Sequence, residues 1–419
     1  GDLGFEEAVA AYAGAIRAGA EAGADLVLIE TMSDLYEAKA AVLAAKENCD
    51  LPIFVSVVLD QSGRMLTGGD LSSAVALLEG LGVDALGVNW GLGPEQLSPM
   101  VERLVRCSSL PLVVSPNAGL PHAENGATRF DIGPGEFARQ MADIARLGVQ
   151  VLGGCCGTTP EHIRALVEAC REVPWSLPVP KNRTFVSSYA QAVELGKAPV
   201  VIGERINPTG KKRFQQALRE GDLQYILGQA FEQEQAGAQV LDVNVGLPDI
   251  DEGEMLTRVS EAIQAVLPLP LQLDTSDSAA MERALRRYNG KPMLNSVSGK
   301  AGSMEAVFPL VKKYGGVVVG LTLDEGGIPP TAEGRLAIAR RIVETAARYG
   351  ISKNELVIDP LTLTISSAPD AAQVTLEAVA RIRAELGVAT ILGVSNVSFG
   401  LPRRELINTA FFTMALHQG

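Results

Sequence analysis

The chain has 419 residues, of which 47% are hydrophobic and 20% charged, and its formal net charge at pH 7 is −13. This length predicts two or three domains with sizeable cores. The acidic balance argues against binding to nucleic acid or to an acidic membrane surface, and no run reads as a membrane span or a signal peptide. Five scattered cysteines do not suggest a disulfide framework, so we expect a reduced, cytoplasmic protein.

Short β-branched runs alternate with longer Ala/Leu/Glu-rich stretches of helical periodicity in the first part of the chain. This alternation predicts βα units on a parallel sheet. The predicted strands are residues 25–30, 53–59, 85–89, 112–115 and 149–152. A predicted helix over residues 5–22 precedes them, and the first domain is expected to cover residues 1–172.

Residues 173–197 interrupt this alternation with Pro174, Pro178 and Pro180, which predicts a linker. A second domain over residues 198–419 then has predicted strands at 200–204, 239–243, 271–274, 293–296, 317–321, 356–358 and 390–394. Polar residues follow nearly every strand, as in (β/α)₈ barrels, whose active sites lie at the carboxyl ends of the strands. We therefore predict an α/β fold of two tandem TIM-type (β/α)₈ barrels.

Both predicted barrels have fewer strands than the eight that closure requires. The first has about five and the second about seven. The chain also opens directly into a helix and stops after one. We therefore expect a segment truncated at both ends, containing the C-terminal part of the first barrel and a second barrel that lacks its last strand.

Adjacent cysteines, Cys155 and Cys156, lie in the sequence Gly153-Gly-Cys-Cys-Gly-Thr-Thr. Neighbouring cysteines seldom form a disulfide with each other, because the ring is strained. Two thiolates at a strand end can instead hold one soft metal ion such as zinc. The flanking glycines favour this interpretation, since they let the backbone approach a ligand closely. Two small buried cysteines at a tight turn remain the alternative.

Three strand-end motifs of the first domain carry a resemblance to a known family. They are Asn89-Trp-Gly-Leu-Gly-Pro, Ser115-Pro-Asn-Ala-Gly-Leu-Pro and the cysteine pair, together with Ile29-Glu-Thr. On the basis of these motifs, the domain resembles the homocysteine-binding barrel of the homocysteine S-methyltransferases. The resemblance implies that Cys155 and Cys156 are zinc ligands, that Asn117 lines the metal site and that Glu30 binds the homocysteine amino group. Zinc in this family acidifies the substrate thiol.

Trp90 stands where the family has the first of its three zinc-binding cysteines. An indole cannot ligate zinc, since its N–H only donates, and the spacing of Cys107 places that residue on a helix away from the strand ends. Two thiolates with Asn117 would make a weaker site. The alternative is that Trp90 fills the metal's place and that the domain no longer activates homocysteine. His122 and His162 are expected at the surface.

Polar motifs follow seven consecutive predicted strands of the second domain. They are Gly203-Glu-Arg-Ile-Asn-Pro, Leu241-Asp-Val-Asn, Leu273-Asp-Thr-Ser, Leu294-Asn-Ser, Leu323-Asp-Glu, Ile358-Asp-Pro-Leu and Gly393-Val-Ser-Asn-Val-Ser-Phe-Gly-Leu-Pro. One such motif is usually only a helix cap, but seven in register indicate a binding site. The set resembles the pterin-binding barrel. Two of its runs, Leu241-Asp-Val-Asn-Val-Gly-Leu-Pro and Ser395-Asn-Val-Ser-Phe-Gly-Leu-Pro, favour the cobalamin-dependent methionine synthase family.

The resemblance implies roles for these residues. Asp274, Asn295 and Asp359 would bind the pterin edge, whose alternating donors and acceptors need rigidly held carboxylates and amides. Asn396 would hydrogen-bond the methyl-bearing nitrogen, which becomes a better leaving group as it gains positive charge. The remaining mouth residues would be Glu204, Asn207, Asp242 and Asn244, with Arg404 near the folate tail.

The implied activity is a methyltransferase that moves methyl from 5-methyltetrahydrofolate to cob(I)alamin and from methylcobalamin to homocysteine. Zinc would act in the first domain, and cobalamin would lie on another domain or on a separate corrinoid protein. One alternative is a folate-dependent corrinoid-protein methyltransferase whose first barrel is a non-catalytic scaffold. A second is a non-catalytic folate-binding module. Zinc content distinguishes the methionine synthase type from the corrinoid-protein methyltransferase. Methyl transfer to free cob(I)alamin distinguishes both of these enzymes from the non-catalytic folate-binding module.

Overall fold

The computed structural model describes residues 3–124 and 126–419, and the chain divides into two compact units. The first unit comprises Gly1–Asn182 with Tyr189–Ala192, and the second comprises Arg183–Ser188 with Val193–Gly419. Part of the segment interpreted as a linker, residues 173–197, is regular, since it contains two short paired strands. Among the described residues no helix is long and apolar enough to cross a membrane.

The first unit alternates strands with helices. Its elements are α1 (Phe5–Glu21), β1 (Val27–Met32), α2 (Leu35–Asn48), β2 (Ile53–Val57), α3 (Leu71–Leu81), β3 (Ala85–Asn89), α4 (Pro94–Cys107), β4 (Leu112–Ser115), β5 (His122–Glu124), β6 (Ala127–Arg129), α5 (Pro134–Arg146), β7 (Val151–Leu152) and α6 (Pro160–Cys170). Strands β1, β2, β3, β4 and β7 form one parallel sheet in that order, and β5 pairs antiparallel with β6. The five predicted strands of this half are confirmed.

Local sequence explains how these βα units begin and pack. The side chains of Asp34 and Asp70 cap α2 and α3 by accepting a backbone N–H three residues on. Every residue of β3 is buried, as expected for a strand covered on both faces. A Cβ at Gly87 in its centre would collide with the Val113 carbonyl of β4, so only glycine fits there.

The second unit follows the same plan with more strands. Its elements are β8 (Thr184–Ser187), β9 (Ala192–Leu195), β10 (Ile202–Ile206), α7 (Lys212–Glu220), α8 (Leu223–Gln235), β11 (Val240–Val243), α9 (Glu252–Gln264), β12 (Leu271–Asp274), α10 (Ser278–Arg287), β13 (Met293–Ser298), α11 (Ala301–Tyr314), β14 (Val317–Leu321), α12 (Ala332–Arg348), β15 (Leu356–Asp359), α13 (Ala371–Leu386), β16 (Ala389–Thr390) and α14 (Arg404–Gln418). Strands β10 to β16 form a parallel sheet in chain order.

Both units therefore have the α/β architecture and sequential parallel strand order of (β/α)₈ barrels, with five and seven barrel strands among the described residues. The predicted fold class is confirmed. Within the second unit, Val186 of β8 is fully buried in a cluster with alternate residues of the sheet, among them Val317 and Val319. Apolar side chains thus fill the interior, and the polar motifs lie at the carboxyl ends of the strands.

The last predicted strand differs from the structure. Residues 390–394 are predicted as a strand, but β16 ends at Thr390, and Val394–Ser398 form a 3₁₀ helix. The Asn396 backbone N–H donates to the Gly393 carbonyl at 3.1 Å, and the Arg404 guanidinium donates to the Ser395 carbonyl at 2.8 Å. These contacts close the chain into a turn and override the β propensity of the apolar run.

Candidate functional site

The carboxyl ends of neighbouring strands in the second unit bring several predicted site residues together. Parallel pairing of β12 with β13 sets Asp274 opposite Asn295. The side chain of Asn244, the residue directly after β11, donates to Asp274 Oδ2 at 2.9 Å and accepts from the Gly246 N–H at 3.0 Å. The orientation of the Asn244 amide is thereby fixed. Three adjacent strands thus present a row of amides and carboxylates.

Asp242 lies beneath this row and is only 2% exposed. Its Oδ1 accepts from Gln272 Nε2 at 2.5 Å, and the Asn295 side chain also hydrogen-bonds its carboxyl group. Burial raises the pKa of Asp242 well above its ordinary value, and the neighbouring Asp274 and Glu204 carboxylates raise it further. Asp242 therefore supports Asn295 from below the mouth. The supporting residue Gln272 was not predicted from the sequence.

The Asp274 carboxyl group also has other carboxylates as neighbours. Burial raises its pKa, the Asn244 hydrogen bond opposes that shift, and the charges of Glu204 and Glu252 add to it. Glu252 in turn accepts a hydrogen bond from the Thr275 hydroxyl. Carboxyl groups crowded in this way retain protons more readily than isolated ones. With the Asn244 and Asn295 amides beside these carboxyl groups, the row presents hydrogen-bond donors as well as acceptors.

Asp359 ends β15 and is followed by a sharp turn. Its Oδ1 accepts from the Leu361 N–H at 2.8 Å, and Leu361 has a left-handed backbone with φ of 63°. Burial raises the pKa of Asp359 to about 6, although the Leu361 N–H and the positive charge of Arg335 both oppose the increase. Arg335, on α12, is 1% exposed and was not predicted from the sequence.

Glu204 lies within β10, the first strand of the sheet, and Asn207 directly follows that strand. Glu204 is exposed, and Asn207 Oδ1 accepts from the Thr209 N–H at 2.9 Å, so its carbonyl oxygen is used in its own loop. Asn207 is thus placed as a loop-forming residue, while Glu204 contributes charge near Asp242 and Asp274.

Asn396 lies in the 3₁₀ turn and is exposed. A Cβ at Gly393 would lie 2.8 Å from Asn396 Nδ2, so glycine makes room for the amide. The guanidinium of Arg404, the residue expected near the folate tail, donates to the Ser395 carbonyl at 2.8 Å and to the Ser398 hydroxyl at 3.0 Å. In the structure Arg404 therefore braces the turn that carries Asn396.

In the first unit, Asn89 ties together three strand ends. It is 2% exposed, its Oδ1 accepts from the Thr31 N–H at 3.0 Å and from the Ser56 hydroxyl at 2.8 Å, and its Nδ2 donates to the Thr31 hydroxyl at 2.7 Å. Thr31 and Trp90 have left-handed φ values of 65° and 60°. Such backbone strain at strand ends is typical of functional sites. Glu30 is exposed beside Thr31.

The two adjacent cysteines lie beside Asn117. Their Sγ atoms are 4.0 Å apart, and burial raises the pKa of Cys155. Asn117 is 2% exposed, and its Oδ1 accepts from the Cys156 N–H at 3.1 Å. The Asn117 oxygen, predicted to line the metal, is therefore used to hold the cysteine loop.

These residues do not fit the family's zinc site of three thiolates. The distance between the two Sγ atoms suits two corners of a zinc tetrahedron, since Zn–S bonds of about 2.3 Å imply about 3.8 Å between sulfurs. A third ligand is the difficulty. Trp90 supplies none and is 45% exposed. Across the described ranges, no cluster of three or more His, Cys, Asp or Glu residues could hold a metal.

His162 corrects one expectation. The sequence placed it at the surface, but it is 6% exposed. Its Nδ1 lies 2.9 Å from the Thr159 hydroxyl at the start of α6, and its Nε2 lies 2.9 Å from the Ile132 carbonyl. Nε2 thus links the segment that contains Ile132 to α6, the helix that follows the cysteines, and Nδ1 contacts the start of that same helix. His122, in β5, is exposed as expected.

Comparison with protein families identifies two domains. Residues 2–170 match the model of the homocysteine S-methyltransferases, and residues 203–419 match that of the pterin-binding enzymes. Curated relatives include the methionine synthases of Mycobacterium leprae (strain TN), 33% identical over 417 residues, and of Mycobacterium tuberculosis (strain ATCC 25618 / H37Rv), 32% identical over 412 residues. Each alignment covers 93% of this chain and 35% of the relative, so the chain spans about a third of the length of these relatives.

Solved structures give partial similarities to each half. The apo form of the homocysteine methyltransferase MmuM from Escherichia coli is 29% identical, with a TM-score of 0.34 over 40% of this chain and 57% of that one. Dihydropteroate synthase from Xanthomonas albilineans with 4-aminobenzoic acid is 23% identical, with a TM-score of 0.43 over 56% of this chain and 90% of that one.

Proposed function

Because the chain belongs to the pterin-binding enzyme family, we propose that its second unit binds 5-methyltetrahydrofolate and donates its methyl group to a corrinoid. The first unit would serve the later transfer to homocysteine, as in a methionine synthase. We place the domains at residues 1–172 and 198–419, joined by residues 173–197. Cobalamin is proposed to lie on another domain or on a separate protein.

The row of amides and carboxyls at the ends of β11, β12, β13 and β15 carries this proposal. A pterin edge alternates donors and acceptors, so its recognition needs both kinds of group held rigidly. The fixed Asn244 amide, the Asp274 carboxyl of raised pKa and the supported Asn295 amide supply both kinds. In its ionised form, the Asp359 carboxylate would accept hydrogen bonds from the N–H groups of the pterin ring.

Methyl transfer requires positive charge on the nitrogen that bears the methyl group. The corrinoid supplies the nucleophile that takes the methyl, and this chain's residues orient the donor and stabilise the developing charge distribution. Asn396 is proposed to hydrogen-bond the reacting nitrogen from the turn braced by Arg404. A contact that strengthens in the transition state lowers the barrier without equal tightening of the ground state.

A second candidate follows from the cysteine site, which does not fit zinc. In it, the chain is a folate-dependent corrinoid-protein methyltransferase whose first unit is a scaffold. Trp90 at the position of a family ligand and the engagement of Asn117 with the Cys156 N–H favour this candidate. We assign no step to zinc in this chain.

The test measures binding and turnover separately. Isothermal titration with 5-methyltetrahydrofolate should give saturable binding, and stopped-flow mixing with free cob(I)alamin should show methyl transfer. Absence of binding refutes the folate assignment. Binding without transfer indicates the non-catalytic folate-binding module instead. Transfer to cob(I)alamin without transfer to homocysteine favours the scaffold candidate.

A further inference from the structure

Arg335 is a charged residue on the buried face of helix α12. Its neighbours on this face, such as Leu336 and Ala339, are apolar, and Arg335 itself is 1% exposed. A buried guanidinium is costly unless its donors are satisfied. Such a residue is expected to have a specific partner rather than a general role in solubility.

The partners of Arg335 are concentrated on the turn after β15. Its Nη1 lies 2.9 Å from the Pro360 carbonyl, 2.8 Å from the Leu361 carbonyl and 3.0 Å from the Thr375 hydroxyl, and its Nε donates to the Pro329 carbonyl at 3.1 Å. The hydroxyl of Thr375, fully buried on α13, also lies 3.2 Å from the Leu361 carbonyl, and 2.9 Å from the Ala371 carbonyl of its own helix. Two helices therefore hold one turn.

This turn contains the left-handed Leu361. The left-handed backbone of Leu361, with φ of 63°, costs about 1–2 kcal/mol for a residue other than glycine. Such a conformation persists only where surrounding contacts enforce it. Arg335 hydrogen-bonds the carbonyl groups of Pro360 and Leu361, the two residues at the bend. The bend in turn aims the Leu361 N–H at Asp359 Oδ1, at 2.8 Å.

One oxygen of Asp359 is thus anchored, and Oδ2 makes no hydrogen bond within residues 3–124 and 126–419. Thr322 directly follows the neighbouring strand β14, and within the described residues its N–H and its hydroxyl both bond the Asp359 backbone carbonyl rather than the carboxyl group. Arg335 is the charged group whose field acts on the Asp359 carboxyl. The anchoring selects one rotamer and leaves one oxygen for a ligand.

We propose that Arg335 is a positioning residue for pterin recognition, which acts through the Pro360–Leu361 turn to orient the Asp359 carboxyl group and places a positive charge behind it. This inference rests on the proposed function, because it assumes that Asp359 contacts the pterin. Arg335 itself is buried behind the turn and is not a catalytic residue. Its two contributions are separable, since the hydrogen bonds need the guanidinium fork and the electrostatic effect needs only a positive charge.

The test compares Arg335→Met with Arg335→Lys by measuring the Kd for 5-methyltetrahydrofolate from pH 5 to 8. Both variants should bind about tenfold more weakly at pH 8, the loss expected when one anchored hydrogen-bonding group is misplaced. Only Arg335→Met should move the acidic midpoint of binding to higher pH, because the positive charge lowers the pKa of Asp359. Arg340→Met is the matched control, since Arg340 lies on the same helix with an exposed ion pair to Glu385.

A rescue tests the turn itself. Glycine adopts a left-handed backbone without steric cost, so Leu361→Gly in the Arg335→Met protein should recover several-fold of the lost affinity. If Arg335→Met does not fold, Thr375→Val provides the test, because it removes the hydroxyl that contacts both Arg335 and the Leu361 carbonyl. Weaker binding supports the inference and an unchanged Kd overturns it.

Failure of this inference is distinct from failure of the proposed function. A wild-type protein that does not bind 5-methyltetrahydrofolate refutes the function. A wild-type protein that binds, while Arg335→Met keeps both the wild-type Kd and the wild-type pH midpoint, refutes the positioning role alone.

Discussion

Asp359→Asn should make the protein more stable at neutral and alkaline pH while it weakens folate binding. The substitution keeps the shape and an oxygen that can accept from the Leu361 N–H, but it removes a buried negative charge. Since the folded-state pKa of Asp359 is raised, the folded protein binds more protons than the unfolded chain between about pH 4 and 6. The stability that this group contributes is therefore present at low pH and is lost as the pH rises through about 6.

The magnitude follows from the size of that increase. The pKa of Asp359 rises from 3.8 to about 6, a difference of about 2.2, and each pKa unit corresponds to about 1.4 kcal/mol. Removing the charge of Asp359 can therefore stabilise the folded protein by about 3 kcal/mol at most. Because Asp359 keeps partial solvent access, screening reduces this value, and we expect about 1–2 kcal/mol of stabilisation at pH 8. At pH 5 the gain should be about half as large, since the wild-type carboxyl is then mostly protonated when folded.

Urea unfolding of the wild-type and variant proteins at pH 5 and pH 8 measures this difference. Asp370→Asn is the matched control, because Asp370 is an exposed aspartate of the same unit whose side chain makes no capping hydrogen bond. Its free energy of unfolding should follow the wild-type value at both pH values. An Asp359→Asn protein that is less stable than wild type at pH 8, or whose gain does not depend on pH, would refute the reasoning that the carboxylate is a buried charge.

Three further substitutions test the site. Asn295→Ala should weaken binding of 5-methyltetrahydrofolate by about 1–3 kcal/mol, because polar edges of the bound ring lose a partner; titration calorimetry measures this, and an unchanged Kd argues against the assignment. Asn396→Ala should lower the methyl-transfer rate more than the affinity, so equal losses in stopped-flow and binding measurements would contradict its catalytic role. Purified protein should contain substoichiometric zinc and Trp90→Cys should raise the zinc content towards one per chain, because a third thiolate completes the set; one firmly held zinc in the Trp90 protein would show that another ligand substitutes.

The strand positions were predictable because parallel strands buried on both faces are short apolar runs. The runs at residues 85–89 and 317–321 coincide with β3 and β14. The stretch from Ile391 was misjudged because its apolar, β-branched residues carry a strand signal, whereas the hydrogen bonds that bend it come from Arg404 on the next helix. Contacts of this kind depend on the folded chain and are not visible in local sequence.

The strand-end rule located candidate polar residues but not the residues behind them. Gln272 is the second residue of β12, inside the strand, and Arg335 lies on a helix. A signal for Arg335 did exist, since the apolar stripe of α12 that includes Leu336, Ala339 and Ile342 is interrupted by an arginine. A charged residue on a buried stripe points to a fixed partner. The identity of that partner, a strained turn 25 residues further along the chain, needed the structure.

The strand order has a consequence for how the chain can be made. Each strand of the two large sheets pairs with the next barrel strand in the sequence, so most pairings close short segments of chain. Such a sheet can be extended one βα unit at a time during synthesis, with each new strand docking on an edge already formed. The carboxylates of the second unit would come together in this order: their mutual repulsion would begin when β11 brings Asp242 near Glu204 of β10, and would grow when β12 adds Asp274. Acidic conditions should therefore favour the later steps of assembly more than the earlier ones.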